Sequence, residues 1–122
     1  MPTRTYWLDN SILAIEFSGS VGIEDVLAAT DEIITLADQQ TMYVLADFTK
    51  MTALSANIIA AISANRTFMR MVRHDKIAYW AFVKPNGLAR TAIQVFIPKQ
   101  KGKILNSVDE AQTVLKSVMQ KS

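Results

Sequence analysis

Tyr43-Val44-Leu45-Ala46-Asp47-Phe48-Thr49-Lys50-Met51-Thr52, followed by the run from Ala53 to Met71, decides how this chain is read. Tyr43 to Ala46 is a short apolar strand that closes on Asp47, and Phe48 to Thr52 is a polar crossing. A long apolar-faced helix opens near Ser55 and buries Ile58, Ile59, Ile62, Met69 and Val72, with Ala60, Ala61 and Ala64 permitting close approach. The strand is too short and too continuously apolar for a surface position, so it is expected at the centre of a sheet with both faces covered. Strand, polar edge and helix make half of a βαβ unit. In open α/β folds, loop atoms and helix N-termini converge at the carboxyl ends of the strands, where ligand-contacting groups usually lie. Asp47, Thr49, Thr52, Ser55 and Asn57 are therefore candidate interaction or anion-site residues.

Upstream, Thr3 to Leu8 and Ile12 to Phe17 read as two strands around an Asp9-Asn10-Ser11 turn, a hairpin that Gly19 and Gly22 end. From Ile23, apolar residues recur at 23, 26, 27, 33, 34 and 37 with Thr30 between them, while Glu24, Asp25, Asp31, Glu32 and Asp38 take the other face. That is the stripe of an amphipathic helix with an acidic exterior. Downstream, Lys76 to Val83 is a strand rich in aromatic and β-branched residues. Pro85-Asn86-Gly87 breaks the chain. Leu88, Ala92, Val95 and Phe96 then sit at helical spacing before Pro98, although the β-branched content leaves a strand open there. Lys103 to Asn106 reads as a short edge strand. Ser107 with Glu110 forms a capping box ahead of a last helix that buries Val108, Ala111, Val114, Leu115 and Val118. The order is ββαβαβαβα, which predicts a single α/β domain over 1–122 with a mostly parallel sheet of about five strands and about four helices.

With 122 residues, half of them apolar, the chain suits one core without staples. It has no cysteine, which excludes disulfides and thiolate chemistry. The first residues lack a signal-peptide pattern and no run approaches a membrane span, so a cytoplasmic protein without an integral membrane segment is expected. A net charge of +2 hides an asymmetry: residues 1–61 hold two cations against eight acids, and residues 62–122 hold eleven against three. This split fits a basic face for anions, complementary faces that pair protomers, or helices that differ only in their solvated sides.

Arg66, Arg70 and Arg73 recur along one helix face with His74 beyond them. Guanidinium forks match carboxylate and phosphate oxygens, so the stripe joins the candidate site, against the plainer reading of a solvated helix face. Ser55 is the expected cap of the second helix, a role worth ~1 kcal/mol; the alternative is a phosphosite or anion cradle at a helix N-terminus. Asp47 is expected to be a buried structural carboxylate bonded to loop amides. Lys99, Lys101 and Lys103 guard a sheet edge. Trp7, Tyr79, Trp80 and Phe82 are explained by packing, and no nucleic-acid-binding motif is present. A lone histidine, no glycine-rich phosphate loop and no acid pair at metal-ligand spacing leave no catalytic constellation, so neither an enzyme nor a cofactor is expected.

The whole pattern resembles the SpoIIAA-like branch of the STAS superfamily, whose members include bacterial anti-anti-sigma factors and STAS/SEC14-like proteins. The resemblance rests on the hairpin, the acidic helix, Leu45-Ala46-Asp47-Phe48-Thr49, the strand Lys76 to Val83, and Asp109-Glu110-Ala111-Gln112-Thr113-Val114-Leu115. It implies a small mixed sheet covered by helices, with the signalling site at the start of the second helix. In anti-anti-sigma factors a strand ending in aspartate leads to Asp-Ser-Ser-Gly-Leu, whose first serine is phosphorylated. Counted from Asp47, that motif's aspartate falls on Ser55, its acceptor on Ala56, and the next residues on Asn57 and Ile58. The acceptor hydroxyl is missing. A slip of one residue supplies Ser55, but then Leu54 precedes it and the glycine is still absent. The resemblance implies a non-enzymatic regulatory module that pairs as a homodimer and contacts a protein partner. A different class of function is a carrier of a small apolar or lipid-like ligand, with Met42, Met51, Met69 and Met71 lining an adaptable pocket.

Overall fold

The computed structural model describes residues 2–121, so Met1 and Ser122 of the expected 1–122 domain lie outside the described residues. Five strands, β1 (Thr3–Trp7), β2 (Ile12–Val21), β3 (Met42–Leu54), β4 (Ile77–Val83) and β5 (Gly102–Leu105), form one sheet in sequential order. β1 pairs antiparallel with β2, and all later pairings are parallel. The hairpin turn is held as its residues predict: the Asp9 carboxylate accepts the N–H groups of Ser11 and Ile12. Helices α1 (Ile23–Ala37), α2 (Ile58–Ser63), α3 (Arg66–Val72), α4 (Gly87–Phe96) and α5 (Val108–Lys121) complete the fold, with a single 3-10 turn over Lys99–Lys101.

Sequential parallel strands joined by right-handed crossovers put every crossover helix on the same side of the sheet. The packing follows that rule. Leu13, Ile15 and Phe17 of β2, Met42, Val44 and Ala46 of β3, and Ile77, Trp80 and Phe82 of β4 meet residues of α1 to α4 in one core. The alternate residues, Ile12, Tyr43, Leu45, Ala81 and Val83, meet Ala111 and Leu115 of α5 on the opposite face. The expected central strand is therefore covered on both sides. α1 buries Ala29, Thr30, Ile33, Ile34 and Ala37, and at its start Asp25 Oδ2 accepts the Gly22 N–H at 2.8 Å. At α5, Ser107 Oγ accepts the Glu110 N–H, as its sequence signature predicts.

Besides β2, which runs on through Gly19 to Val21 instead of ending at Phe17, two boundaries differ from the sequence reading. Phe48 to Leu54 is not a crossing loop; it continues β3 alongside Ser18 to Val21 of β2. Phe48 stacks on Phe17 with ring centroids 4.9 Å apart, and Phe48, Met51 and Leu54 pack against the core, so the apparently polar segment has an apolar side. The ladder absorbs register shifts between Glu16 and Ser18 and between Gly19 and Ser20, where Gly19 at φ +65° takes a conformation open to glycine. Secondly, the long second helix is two short ones. Asn65, in extended conformation, accepts the Phe68 N–H on its side-chain oxygen at 2.8 Å and so caps a new helix, α3. Asparagine competes for backbone donors in this way, and that ends one helix and opens the next. The segment 87–96 is helical, but its buried side is Ala89 with Ala92, Ile93 and Phe96 behind it, while Leu88 and Val95 face solvent.

Candidate functional site

Extension of β3 moves Asp47 from the end of a strand to its middle. Between the Glu16–Asp47 and Ser18–Lys50 pairs, Phe48 and Thr49 together oppose Phe17, a bulge that takes the Thr49 N–H out of the ladder. Asp47 Oδ1 accepts that N–H at 2.9 Å and the Thr49 hydroxyl at 2.6 Å, while the side chain is buried. The expectation of a buried, amide-bonded carboxylate holds. Its donors belong to the strand rather than to a loop.

Ser55 lies in the connection to α2. Its N–H donates to Val21 O at 3.0 Å and its carbonyl accepts from the Ile58 N–H at 3.1 Å, but Asn57 holds the cap position and no side chain caps that helix. The capping role assigned to Ser55 is therefore not formed, because the helix starts two residues later than expected. Thr52 sits on the exposed overhang of β3, where Met51, Thr52, Ala53 and Leu54 face Asn86, Gly87 and Leu88 across a surface depression of about 180 Å³. Arg66, Arg70 and Arg73 come together as predicted, around a shallow depression of about 320 Å³ with Ser63, Ala64, Asn65 and Met69. None of the residues from Asp47 to Asn57 lines it, and of the candidates in that segment only Thr52 lines the depression beside β3, so the arginines stand apart from the rest.

A cluster that sequence reasoning missed ties α1 to α3 and β4. Asp38, just past the end of α1, accepts from Arg70 through both oxygens at 3.2 Å, and its Oδ1 lies 2.8 Å from His74 Nε2. The Lys76 N–H donates to His74 Nδ1 at 3.1 Å, which leaves the proton of a neutral ring on Nε2, facing Asp38. Lys76 Nζ reaches the Asp38 carbonyl and Lys101 Nζ the His74 carbonyl. The available signal was an acid at a helix C-terminus, where the dipole disfavours it unless cations stand nearby.

Arg70 and then His74 hold the Asp38 carboxyl well below the usual range, at about 2. A depressed carboxyl contributes stability that is fully present above the unfolded value, near 4, and is lost as pH falls through about 2. Asp38 is half exposed, so salt weakens the effect. Thermal melts at low ionic strength should thus show that Asp38→Asn destabilises the protein at pH 7, with the difference from wild type shrinking between about pH 4 and about pH 2. A difference that stays constant over that window would show that the pair contributes nothing through charge.

An apolar cavity of about 110 Å³ lies between the sheet and α1 to α4. Ile15 and Phe17 line it from β2, Ala29 and Ile33 from α1, Trp80 and Phe82 from β4, and Ile93 and Phe96 from α4. The expectation of a methionine-lined pocket is corrected in its details. Met51 and Met71 contribute, whereas Met42 is packed shut in the core and Met69 belongs to the arginine depression. Thr30 also lines the cavity, its hydroxyl proton committed to Val26 O at 2.8 Å. Trp80 is 4% exposed, and its indole N–H is a buried donor without an acceptor among the described residues, an arrangement that costs about 1 to 3 kcal/mol. Within those residues no group of three or more acids and histidines is placed to hold a metal ion, and no helix is long and apolar enough to cross a membrane.

No protein-family model matches the chain, and no curated protein matches it. Solved structures do. SpoIIAA, the Bacillus cell fate determinant in its phosphorylated form, superposes with a TM-score of 0.68 at 12% identity, covering 93% of this chain and 98% of that one. A Thermotoga maritima protein described as a putative anti-sigma factor antagonist gives 0.64 at 10% identity, over 93% and 94%. An uncharacterised Shewanella loihica protein of the DUF3478 family, with a SpoIIAA-like fold, gives 0.60 at 18% identity, over 93% and 91%. At such identities the likeness is one of fold, and it agrees with the strand order and helix placement above: this chain is a mixed, mostly parallel α/β domain with a SpoIIAA-like fold.

Proposed function

We propose that the chain is a non-enzymatic regulatory module of a bacterial cytoplasm that pairs as a homodimer and contacts a protein partner. The contact surface is formed by the exposed segment Thr49 to Asn57 and the arginine face of Arg66, Arg70 and Arg73. The observation that carries this reading is a fold shared along nearly the whole chain with anti-sigma factor antagonists. Ala56 stands at the acceptor position implied by the family motif, so a phosphorylation-controlled antagonist role falls to Ser55 alone and ranks last. Arg66 and Arg73 are exposed, which suits an acidic partner surface.

Photo-crosslinking amino acids at Thr52 and Arg73, with one at Lys116 of α5 as control, test the surface in cells. Adducts to one protein from the first two positions and none from the third are expected. Adducts from Lys116 alone would remove the surface, and a strict monomer by light scattering at low and high salt would remove the dimer.

A second reading, a carrier of a small apolar ligand, draws support from the cavity beneath α4. Wholly apolar cavities of this order of size can stay dry and take up small hydrophobic molecules.

A further inference from the structure

The helical layer that covers the sheet carries its charge in two halves. α1 holds Glu24, Asp25, Asp31 and Glu32 and no lysine or arginine, and Asp38 follows its last turn. α3 and the residue after it hold Arg66, Arg70 and Arg73 and no acid. Seven residues make about two turns of helix, so Glu24, Asp31 and Asp38 stand in one row along α1. Asp38, the last of that row, meets Arg70 of α3, which sets the acidic row and the arginine face side by side. Only this end of the seam is closed. Glu24, Asp31 and Glu32 on one side and Arg66 and Arg73 on the other are exposed, and among the described residues none of them makes an ion pair. The helix dipole suits Glu24 at the start of α1, but its effect fades beyond the first turn and leaves Asp31 and Glu32 without a local reason.

We infer that a second copy of this chain covers the layer, with Asp31 and Glu32 of each protomer against Arg66 and Arg73 of the other. The inference rests on the homodimer reading and names its interface. Both helices run back across the sheet between parallel strands, so they point the same way. A two-fold axis along the seam between them places each α1 over the other copy's α3 at the same level, and every pairing of unlike charges occurs twice. The depression of about 320 Å³ among Arg66, Met69, Arg70 and Arg73 then receives carboxylates from the second copy. α1 has 15 residues, hence a length of about 22 Å, and a layer two helices wide covers about 400 Å² on each copy. That lies at the weak end of specific interfaces, so the pairing is reversible, salt-sensitive and steered by charge. Arg66 and Arg73 also belong to the surface proposed for a protein partner, so an acidic partner competes with the second copy for them.

Sedimentation velocity of the full chain at about 20 mM and about 500 mM salt is the first measurement, and a dimer at least about tenfold weaker in the higher salt is expected. Charge reversal follows in two double variants, Arg66→Glu with Arg73→Glu and Asp31→Lys with Glu32→Lys. Each alone should pair at least about 30-fold more weakly than wild type, because exposed ion pairs are lost in both halves and like charges replace them. Mixed in equal amounts, the two variants should associate with each other again, since each supplies the sign that the other lacks. Variants that pair as tightly as wild type would overturn this interface and leave a homodimer built on another face. A mixture that does not associate would also overturn it. A wild-type monomer at both salts would overturn the homodimer reading and this inference with it. The chain has no cysteine, so single cysteines give a second measurement. Asp31→Cys mixed with Arg66→Cys should form a mixed disulfide under mild oxidation faster than either variant links to itself, and equal rates would place the seam elsewhere. Where a reversed variant does not fold, the cysteine pair decides.

Discussion

Replacing Leu115 by alanine is expected to lower the unfolding free energy by about 2 to 5 kcal/mol, the range for deleting a fully buried leucine side chain. Leu115 has no exposed surface, and the helix that carries it covers the face of the sheet opposite α1 to α4. Its neighbours there include Ala81 and Ala111, whose small side chains cannot move into the vacated volume. The site therefore collapses poorly, which places the loss in the upper part of the range. Urea titration measures it. Val95→Ala serves as the comparison, because Val95 is 62% exposed and its truncation should change stability by about 0.5 kcal/mol or less. A Leu115→Ala loss as small as that of Val95→Ala would mean that α5 does not dock on the sheet, and the description of the second core would fall.

Periodicity makes both covers of the central strand legible in the sequence. The continuous apolar run at Tyr43 to Ala46 required cover on both faces, and α5 supplies the second cover through the Val108, Ala111, Leu115 stripe. The same reasoning failed where tertiary pairing overrode local chemistry. Thr49, Lys50 and Thr52 look like loop, yet they lie in β3 because β2 runs on beside them and Phe17 offers a ring for Phe48. The missed signal is an apolar residue at every third position, Phe48, Met51 and Leu54, a spacing that two register shifts bring onto one face of the strand. The split of the second helix was also written in the sequence, at Asn65 three residues before Phe68, but an apolar stripe that continued across the break concealed it.

The site was less legible than the fold because its features depend on distant segments meeting. Asp38 and Arg70 lie 32 positions apart, and no spacing rule joins them. The cavity is bounded by three strands and four helices, and a cavity is a deficit of volume that residue types alone do not reveal. A buried indole can be guessed from an apolar strand such as β4. Whether its N–H finds an acceptor is settled only when every neighbour is in place.

Asp47 carries the second large effect, and it separates a structural carboxylate from a functional one. Removal of its side chain in Asp47→Ala leaves the Thr49 N–H and hydroxyl without their acceptor inside a bulge that has already left the ladder. The expected loss is about 1 to 3 kcal/mol. Thr49 is itself exposed, so water can replace part of the interaction and the lower half of that range is expected. Asp47→Asn keeps an oxygen at the same place and should lose less, by about 1 kcal/mol, since what disappears is the charge assistance and not the bond. Hydrogen exchange locates the cause: in Asp47→Ala the Thr49 amide should lose protection while the Leu45 amide, inside the parallel ladder, keeps it. Were both variants as stable as wild type with the Thr49 amide still protected, the carboxylate would be dispensable to the bulge. With the loss as expected, Asp47 acts on the surface proposed for Thr49 to Asn57 only by holding the strand that presents it.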